Sequence, residues 1–238
     1  MKRCFFVVFF FSIYFLSSGL VAAIEDECVV VAHGLGRTSR SMAKMATVLE
    51  KEGYVVYNVN YPSRKYTIDV LVSDYIEPAV QLCSKSETIH FVTHSLGGIL
   101  VRYYLNERSL EKLGHVVMIA PPNKGSELVD KLGNVFFYRW WLGPAFMQLS
   151  TDESSVPNRL PVPHYSLGVI AGTKSLNPFF SLMIPGDNDG KVSLKSAEIQ
   201  GKDFMTVHAS HSWIMNDQDV LDQTVFFLKN GGFKEVVK

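Results

Sequence analysis

Ile89-His90-Phe91-Val92-Thr93-His94-Ser95-Leu96-Gly97-Gly98 is the stretch on which the fold turns. Ile89 to Thr93 is a short β-rich run, and Gly98 to Asn106 repeats apolar residues at helical spacing. A serine lodged between a strand and a helix, with glycine two places on, has the layout of a nucleophile elbow, which makes Ser95 the candidate nucleophile. Such a turn strains the serine backbone and needs small residues two before and two after it, so that strand and helix can approach. Gly97 meets that need. Thr93 stands where glycine is commonest and is β-branched, so the turn must open slightly or be packed differently. The ordinary alternative is a serine capping a helix beside glycines that serve packing.

On either side of the elbow, short β-rich runs alternate with longer segments of helical period. The strand candidates are Cys28 to Ala32, Tyr54 to Asn60, Ile89 to Thr93, Val116 to Ala120, Tyr165 to Ala171 and Phe204 to Val207. Between them, Arg40 to Glu52, Ile68 to Lys85, Gly98 to Asn106 and Asp219 to Lys229 carry apolar residues at helical spacing. Most strands read as continuous Val, Ile and Phe, as strands covered on both faces do. The alternation predicts an α/β fold, a mostly parallel sheet with helices on both faces. In such sheets chemistry gathers in the crevice beyond the carboxyl ends of the strands.

With 238 residues, 47% apolar and 19% charged, the chain suits one sizeable domain and excludes intrinsic disorder. Lysine and arginine total 23, as do aspartate and glutamate, so no net charge draws the chain to nucleic acid, which is not expected as a partner. Three cysteines without a Cys-x-x-Cys pair argue against a disulfide scaffold and a zinc ribbon.

Residues 1–23 read as a secretory signal peptide: Lys2 and Arg3, an apolar run from Phe5 to Leu16, then Val21-Ala22-Ala23 suited to cleavage after Ala23. Residues 24–238 then form a single, slightly acidic domain. The uncharged stretch from Cys4 to Ile24 could span a bilayer if left uncleaved, so the alternative is a membrane-anchored domain. Both readings export the domain, to the periplasm or beyond. Cys28 follows Glu25-Asp26-Glu27 and lacks the small apolar neighbours of a lipoprotein cysteine.

His33-Gly34-Leu35-Gly36 follows the first strand, and its glycines let backbone N–H groups turn toward a bound oxygen. An oxyanion hole needs two such donors, and the natural pair is the N–H of Leu35 and that of Leu96. A glycine-rich turn of this kind could also cradle a phosphate, but it lacks a P-loop lysine and dinucleotide-binding spacing. A serine also needs a base, and the base an acid, here following the serine in the order acid, then histidine. Gly186-Asp187-Asn188-Asp189-Gly190 offers two acids and His208-Ala209-Ser210-His211 two bases, and spacing decides neither. Taken singly, such residues are ordinarily a solvated turn and a surface histidine. His90, His94, His115 and His164 show no metal-ligand spacing and His-Glu-x-x-His is absent; His208 and His211 with Asp187 or Asp189 could form a metal cluster, but neither metal nor cofactor is expected.

One stretch breaks the alternation. Ser126 to Pro163 holds Phe136, Phe137, Tyr138, Trp140, Trp141, Phe146 and Met147 and is too long for a plain loop. Residues 126–163 are a candidate lid or substrate-binding insertion, with 135–149 available to touch an apolar acyl chain or a lipid surface. A helix that merely covers the sheet with aromatics is the alternative.

The order of elements, the His33-Gly34-Leu35-Gly36 loop, the His94-Ser95-Leu96-Gly97-Gly98 elbow and the late Asp and His resemble the α/β-hydrolase superfamily, most closely its small bacterial lipases and esterases. The resemblance runs from about Val29 to Phe227. Gly98 to Leu105, Ala120 to Glu127, Asp189 to Ser193 and His211 to Met215 look like blocks of that group. The resemblance implies Asp189 as the acid, with Val192 and Ser193 behind it, and His211 as the base. Asp187 and His208 become second choices. It also implies acyl transfer by a serine ester hydrolase of lipase or esterase type, acting on ester or lipid small molecules without a cofactor. Alternatives on the same triad are an acyltransferase, thioesterase or amidase; a binding protein on a hydrolase scaffold is the non-enzymatic one. Since the fold would make the strands after Cys28 and Cys83 neighbours, the two cysteines could pair at the non-catalytic end of the sheet or remain buried thiols. Oligomeric state is not legible in the sequence.

Overall fold

The computed structural model describes residues 27–235, so the leader, its cleavage site and the alternative anchor lie outside the described residues. Strands β1 (Glu27–Ala32), β2 (Val55–Val59), β3 (Thr88–His94), β4 (Leu113–Ile119), β5 (Leu167–Gly172) and β6 (Asp203–Val207) form one sheet in the order β2-β1-β3-β4-β5-β6. Every neighbouring pair is parallel. In β1, Val29 and Val31 enter one core while Cys28, Val30 and Ala32 enter the other, and all are buried. A strand with two apolar faces has no polar face to alternate with, which explains its continuous apolar run.

Eleven helices, some of a single turn, connect and cover these strands among the described residues. Helix α1 (Ala43–Lys51) packs on the Val29 face through Met45 and Leu49. Helices α2 (Ile68–Leu71) and α3 (Glu77–Leu82) and the long α4 (Leu96–Glu107) cover the opposite face. The periodicity from Ile68 predicts a single helix, but a π-helical turn, Val72–Ile76, separates α2 from α3. Pro78 accounts for it, because it has no N–H to return to the preceding turn and its ring crowds that turn, so the helix widens. Cys83, just beyond α3, is joined by a disulfide to Cys28 at the start of β1, at the amino end of the sheet.

The insertion folds as four short helices, α5 (Glu127–Leu132), α6 (Phe136–Leu142), α7 (Pro144–Met147) and α8 (Val156–Arg159). Leu128, Val129, Leu132, Phe146 and Leu149 sink into the core, whereas Phe136 is 82% and Trp140 73% exposed. Arg102, buried in α4, ties this insertion down: its guanidinium donates to the Asn123 carbonyl at 2.9 Å and to the Leu160 carbonyl at 3.2 Å. Helices α9 (Pro178–Met183) and α10 (Leu194–Ala197) follow β5, and α11 (Gln218–Asn230) returns to the α1 face through Val220, Leu221, Phe227 and Leu228. Asp217 caps the start of α11, and Gly231, at φ 73°, closes its end by donating to the Phe227 carbonyl. The all-parallel sheet directs the carboxyl ends of β1, β3 and β6 to one rim, where the sequence candidates collect.

Candidate active site

Ser95 joins β3 to α4 with φ 53° and ψ −122°; only Ala120 shares a positive φ among the described non-glycine residues. For an L side chain this backbone is strained, and it holds the hydroxyl clear of the helix. The Ser95 N–H donates to the Ile119 carbonyl at 2.9 Å, tying the turn to β4. A Cβ on Gly97 would sit 2.5 Å from the Ala32 carbonyl oxygen, which is why α4 can lie against the end of β1 only with glycine there. Thr93 is accommodated by packing: it is fully buried, and its Oγ1 lies 3.3 Å from where Gly98 would carry a Cβ. The bare Gly98 leaves room for the branched side chain that the elbow commonly lacks.

Ser95 Oγ–H donates to His211 Nε2 at 3.1 Å, and His211 Nδ1–H donates to Asp189 Oδ2 at 2.8 Å. Asp189 is buried, and its Oδ1 accepts the N–H groups of Lys191 and Val192 at 3.0 and 2.9 Å. His211 is fixed at its backbone as well: its N–H donates to the Asp189 carbonyl, and its own carbonyl accepts from His94 Nε2 at 3.0 Å. The two second-choice residues lie elsewhere. Asp187 is exposed and lends only its backbone carbonyl to Leu194; His208 is exposed beside Thr173.

Leu35 lines the cavity above Ser95, and Leu96 is the first residue of α4, whose opening N–H groups have no partner within the helix. Among the described residues neither amide has an acceptor. Gly34 lets the loop approach: a Cβ there would stand 2.8 Å from His94 Nδ1 and 3.1 Å from the Ser95 Cβ. The Gly36 N–H donates to Ser63 Oγ at 2.9 Å.

Sequence reasoning missed the residues that hold this loop. His33 is wholly buried and stacked on Tyr61 at 3.9 Å; its Nδ1–H donates to the Gly34 carbonyl while its Nε2 accepts the Tyr61 N–H. The Tyr61 hydroxyl in turn donates to the His33 carbonyl. One ring nitrogen donates and the other accepts, so the imidazole is neutral. Burial correspondingly holds His33 below its usual range. His94 is held well below its range by burial and then by repulsion from His211 and Lys191. The Tyr61 and Ser63 partners stand beyond β2, about thirty residues from the loop in sequence, and nothing local in the chain signals them.

Ser95 and His211 open into a cavity of about 350 Å³. One arm is apolar, lined by Leu128, Leu132, Tyr138, Leu142, Phe146 and Phe180, drawn from α5, α6, α7 and α9. The lining also includes Arg37, Arg64 and Lys191. Among the described residues, no group of three or more His, Cys, Asp or Glu side chains converges as metal ligands would.

A model of the palmitoyl protein thioesterase family matches residues 28–158, more than half of the chain. No curated protein matches significantly in sequence. In fold, the chain is similar to the Bacillus licheniformis lipase BlEst2 in its mature form, with TM-score 0.63 and 18% identity over 86% of this chain and 91% of that one. It is also similar to the metagenomic carboxyl esterase MGS0156, with TM-score 0.63 and 22% identity over 80% of this chain and 65% of that one. The phospholipase PlaB from Legionella pneumophila superposes with TM-score 0.63 and 16% identity over 86% of this chain and 59% of that one.

Proposed function

The chain belongs to the palmitoyl protein thioesterase family and has the α/β-hydrolase fold, and from that premise we propose that it hydrolyses acyl thioesters and carboxylic esters through Ser95, His211 and Asp189. The observation that carries the proposal is the unbroken chain of hydrogen bonds from Ser95 Oγ through His211 to buried Asp189, at the mouth of an apolar cavity. In this reading the acyl chain lies in the apolar arm with its carbonyl carbon at Ser95. Ser95 Oγ bonds to that carbon as His211 Nε2 takes the hydroxyl proton, and Asp189 stabilises the imidazolium. The oxyanion is held by the Leu35 and Leu96 N–H groups; losing one such donor typically costs about 3 to 4 kcal/mol in the transition state. The bond to the leaving sulfur or oxygen breaks, and that atom takes the proton from His211. Water then attacks the acyl-enzyme with the same histidine as base, releasing the acid and restoring Ser95.

The family match favours a thioester over an oxygen ester as the preferred bond, while the triad accepts either, because contacts in the pocket select the leaving group. We assign export to the chain on two grounds: residues 1–23 have signal-peptide composition, and a buried disulfide suits an oxidising compartment. The 126–163 segment is the binding insertion in this proposal. Its α6, together with α9, lines the cavity on one side and presents Phe136, Trp140, Phe179 and Leu182 outward, a surface suited to a lipid interface.

The test uses residues 24–238 and the Ser95→Ala variant, with a fluorophosphonate probe and matched series of acyl thioesters and p-nitrophenyl esters from acetyl to palmitoyl. The expected result is labelling of Ser95, turnover rising with chain length, and loss of both in Ser95→Ala. Absence of labelling and of turnover across both series would overturn the reading.

A further inference from the structure

The cavity that holds Ser95 and His211 is lined by three cations, Arg37, Arg64 and Lys191, and by no aspartate or glutamate. They come from three separate places: the loop after β1, the turn after β2 and the loop before α10. None forms an ion pair among the described residues. Arg37 donates to the carbonyl of Ser212, the residue after His211, at 3.3 Å. Arg64 lies over the Trp141 ring at 5.3 Å and packs by Gly36. Lys191 is half-buried, and its ammonium has no hydrogen-bond partner among the described residues. Asp189, the nearest acid, is already committed: Oδ1 to two backbone N–H groups and Oδ2 to His211.

Unpaired cations crowded at a partly desolvated site are costly unless an anion joins them. Lys191 shows this cost: burial pulls its ammonium below its usual range, and Arg37 adds to it, against the opposing pull of Asp189. The field of Lys191 and Arg37 also reaches His94, beside the nucleophile. An uncharged fatty ester would leave the half-buried Arg37 and Lys191 without an anionic partner, whereas Arg64 is exposed to water and lies over Trp141. Arg64 stands on Trp141 of α6, a wall of the apolar arm, whereas Arg37 bonds the residue after His211 and Lys191 follows Asp189 by two residues, so these two are the cations available to the leaving group.

We infer that Arg37 and Lys191 form an anion subsite, and that the substrate is an acyl ester or thioester whose leaving group carries a compact anion, phosphate or carboxylate, a few bonds from the scissile carbonyl. This rests on the hydrolase reading above. The anion undergoes no bond change: the carbonyl carbon exchanges its leaving-group bond for the Ser95 oxygen, and the departing oxygen or sulfur takes the proton from His211. The subsite acts by charge-assisted contacts that hold the leaving group as the acyl chain fills the apolar arm.

Matched pairs test it. One pair is 1-octanoylglycerol 3-phosphate against 1-octanoylglycerol, which probes a lipid headgroup phosphate. The other is the octanoyl thioester of 3-mercaptopropionate against that of its amide, which probes a carboxylate. All are used below their micelle-forming concentrations. Wild type should favour the anionic member of at least one pair by about tenfold or more in kcat/KM, mostly through KM, and raising ionic strength should erode the ratio. Arg37→Gln and Lys191→Gln should each cut the ratio several-fold, and Arg37→Lys should restore most of it. Turnover of the neutral members with no anionic preference in either pair would overturn the subsite and leave the hydrolase standing. A preference untouched by both Gln variants would also overturn it. Equilibrium binding to Ser95→Ala, followed by tryptophan fluorescence, separates the two readings further. Tighter binding of the anionic member there sustains the subsite even with no turnover, and equal binding refutes it.

Discussion

Breaking the Cys28–Cys83 disulfide is a perturbation whose size follows from the chain between the two residues. The bond closes a loop with a sequence separation of 55, which contains β1, α1, β2, α2 and α3. Chain-entropy reasoning for a loop of this length gives a loss of about 14 cal/mol/K in the unfolded state, or about 4 kcal/mol at 25 °C. For a domain of this size each kcal/mol moves the melting temperature by roughly 2 to 4 °C, so the bond should be worth about 8 to 16 °C. Both residues are almost fully buried, so reductant alone will reach them slowly; the comparison is between oxidised protein, protein refolded under reductant, and the Cys28→Ala/Cys83→Ala variant. Urea and thermal unfolding monitored by circular dichroism supply the assay. The bond lies at the amino end of β1, the full strand length from the His33–Gly36 loop, so turnover at 25 °C should change little while thermal inactivation shifts with the melting temperature. Oxidised and reduced protein melting within about 1 °C of each other would refute the reasoning, as would two alkylatable thiols in the non-reduced protein.

Asp189→Asn should leave the fold intact, because an amide oxygen can still accept the Lys191 and Val192 N–H groups, yet turn its NH₂ against His211 Nδ1 and lower kcat by about 10⁴-fold, as single-turnover kinetics would report. Gly97→Ala should destabilise by at least 1 to 3 kcal/mol, as overpacking against the Ala32 carbonyl requires, whereas Gly98→Ala, meeting neighbours at 3.2 to 3.3 Å, should cost less; equal urea midpoints for the two variants would contradict this. His33 and His94 stay neutral when buried, with folded values below the unfolded one near 6.5, so the unfolded chain binds the extra protons and stability is lost as pH falls below about 6.5. Urea midpoints should therefore drop between pH 7.5 and 5.5, with each histidine adding a slope of up to about 1.4 kcal/mol per pH unit; a flat profile would refute it. Phe136→Ser/Trp140→Ser should reduce co-sedimentation with phospholipid vesicles several-fold and leave hydrolysis of a soluble acetyl ester near wild type, since both side chains point outward; unchanged vesicle binding would remove the lipid-surface reading.

What was legible in the sequence was what the backbone repeats locally. All six strands and the four long helical segments stand where β-rich runs and helical period placed them, with ends shifted by up to three residues. The elbow was legible because its constraints are local: one strained residue and the lack of a Cβ two places on. The choice between Asp187 and Asp189, or between His208 and His211, was not local. Two carboxylates separated by one residue in a Gly-rich turn differ only in which one the turn folds over: Asp189 receives two backbone N–H groups and becomes buried, and Asp187 stays in water. No periodicity carries that information, and resemblance to a known family was needed to choose. The same reasoning explains why the cations went unseen. Arg37, Arg64 and Lys191 are single charges in three loops, each of which read alone is a solvated side chain; parallel strand order alone brings the loops after β1 and β2 and the loop before α10 to one rim. Charge in a site of this kind is a property of topology. A stretch of sequence can mark a candidate nucleophile, whereas the order of strands decides which charges stand beside it.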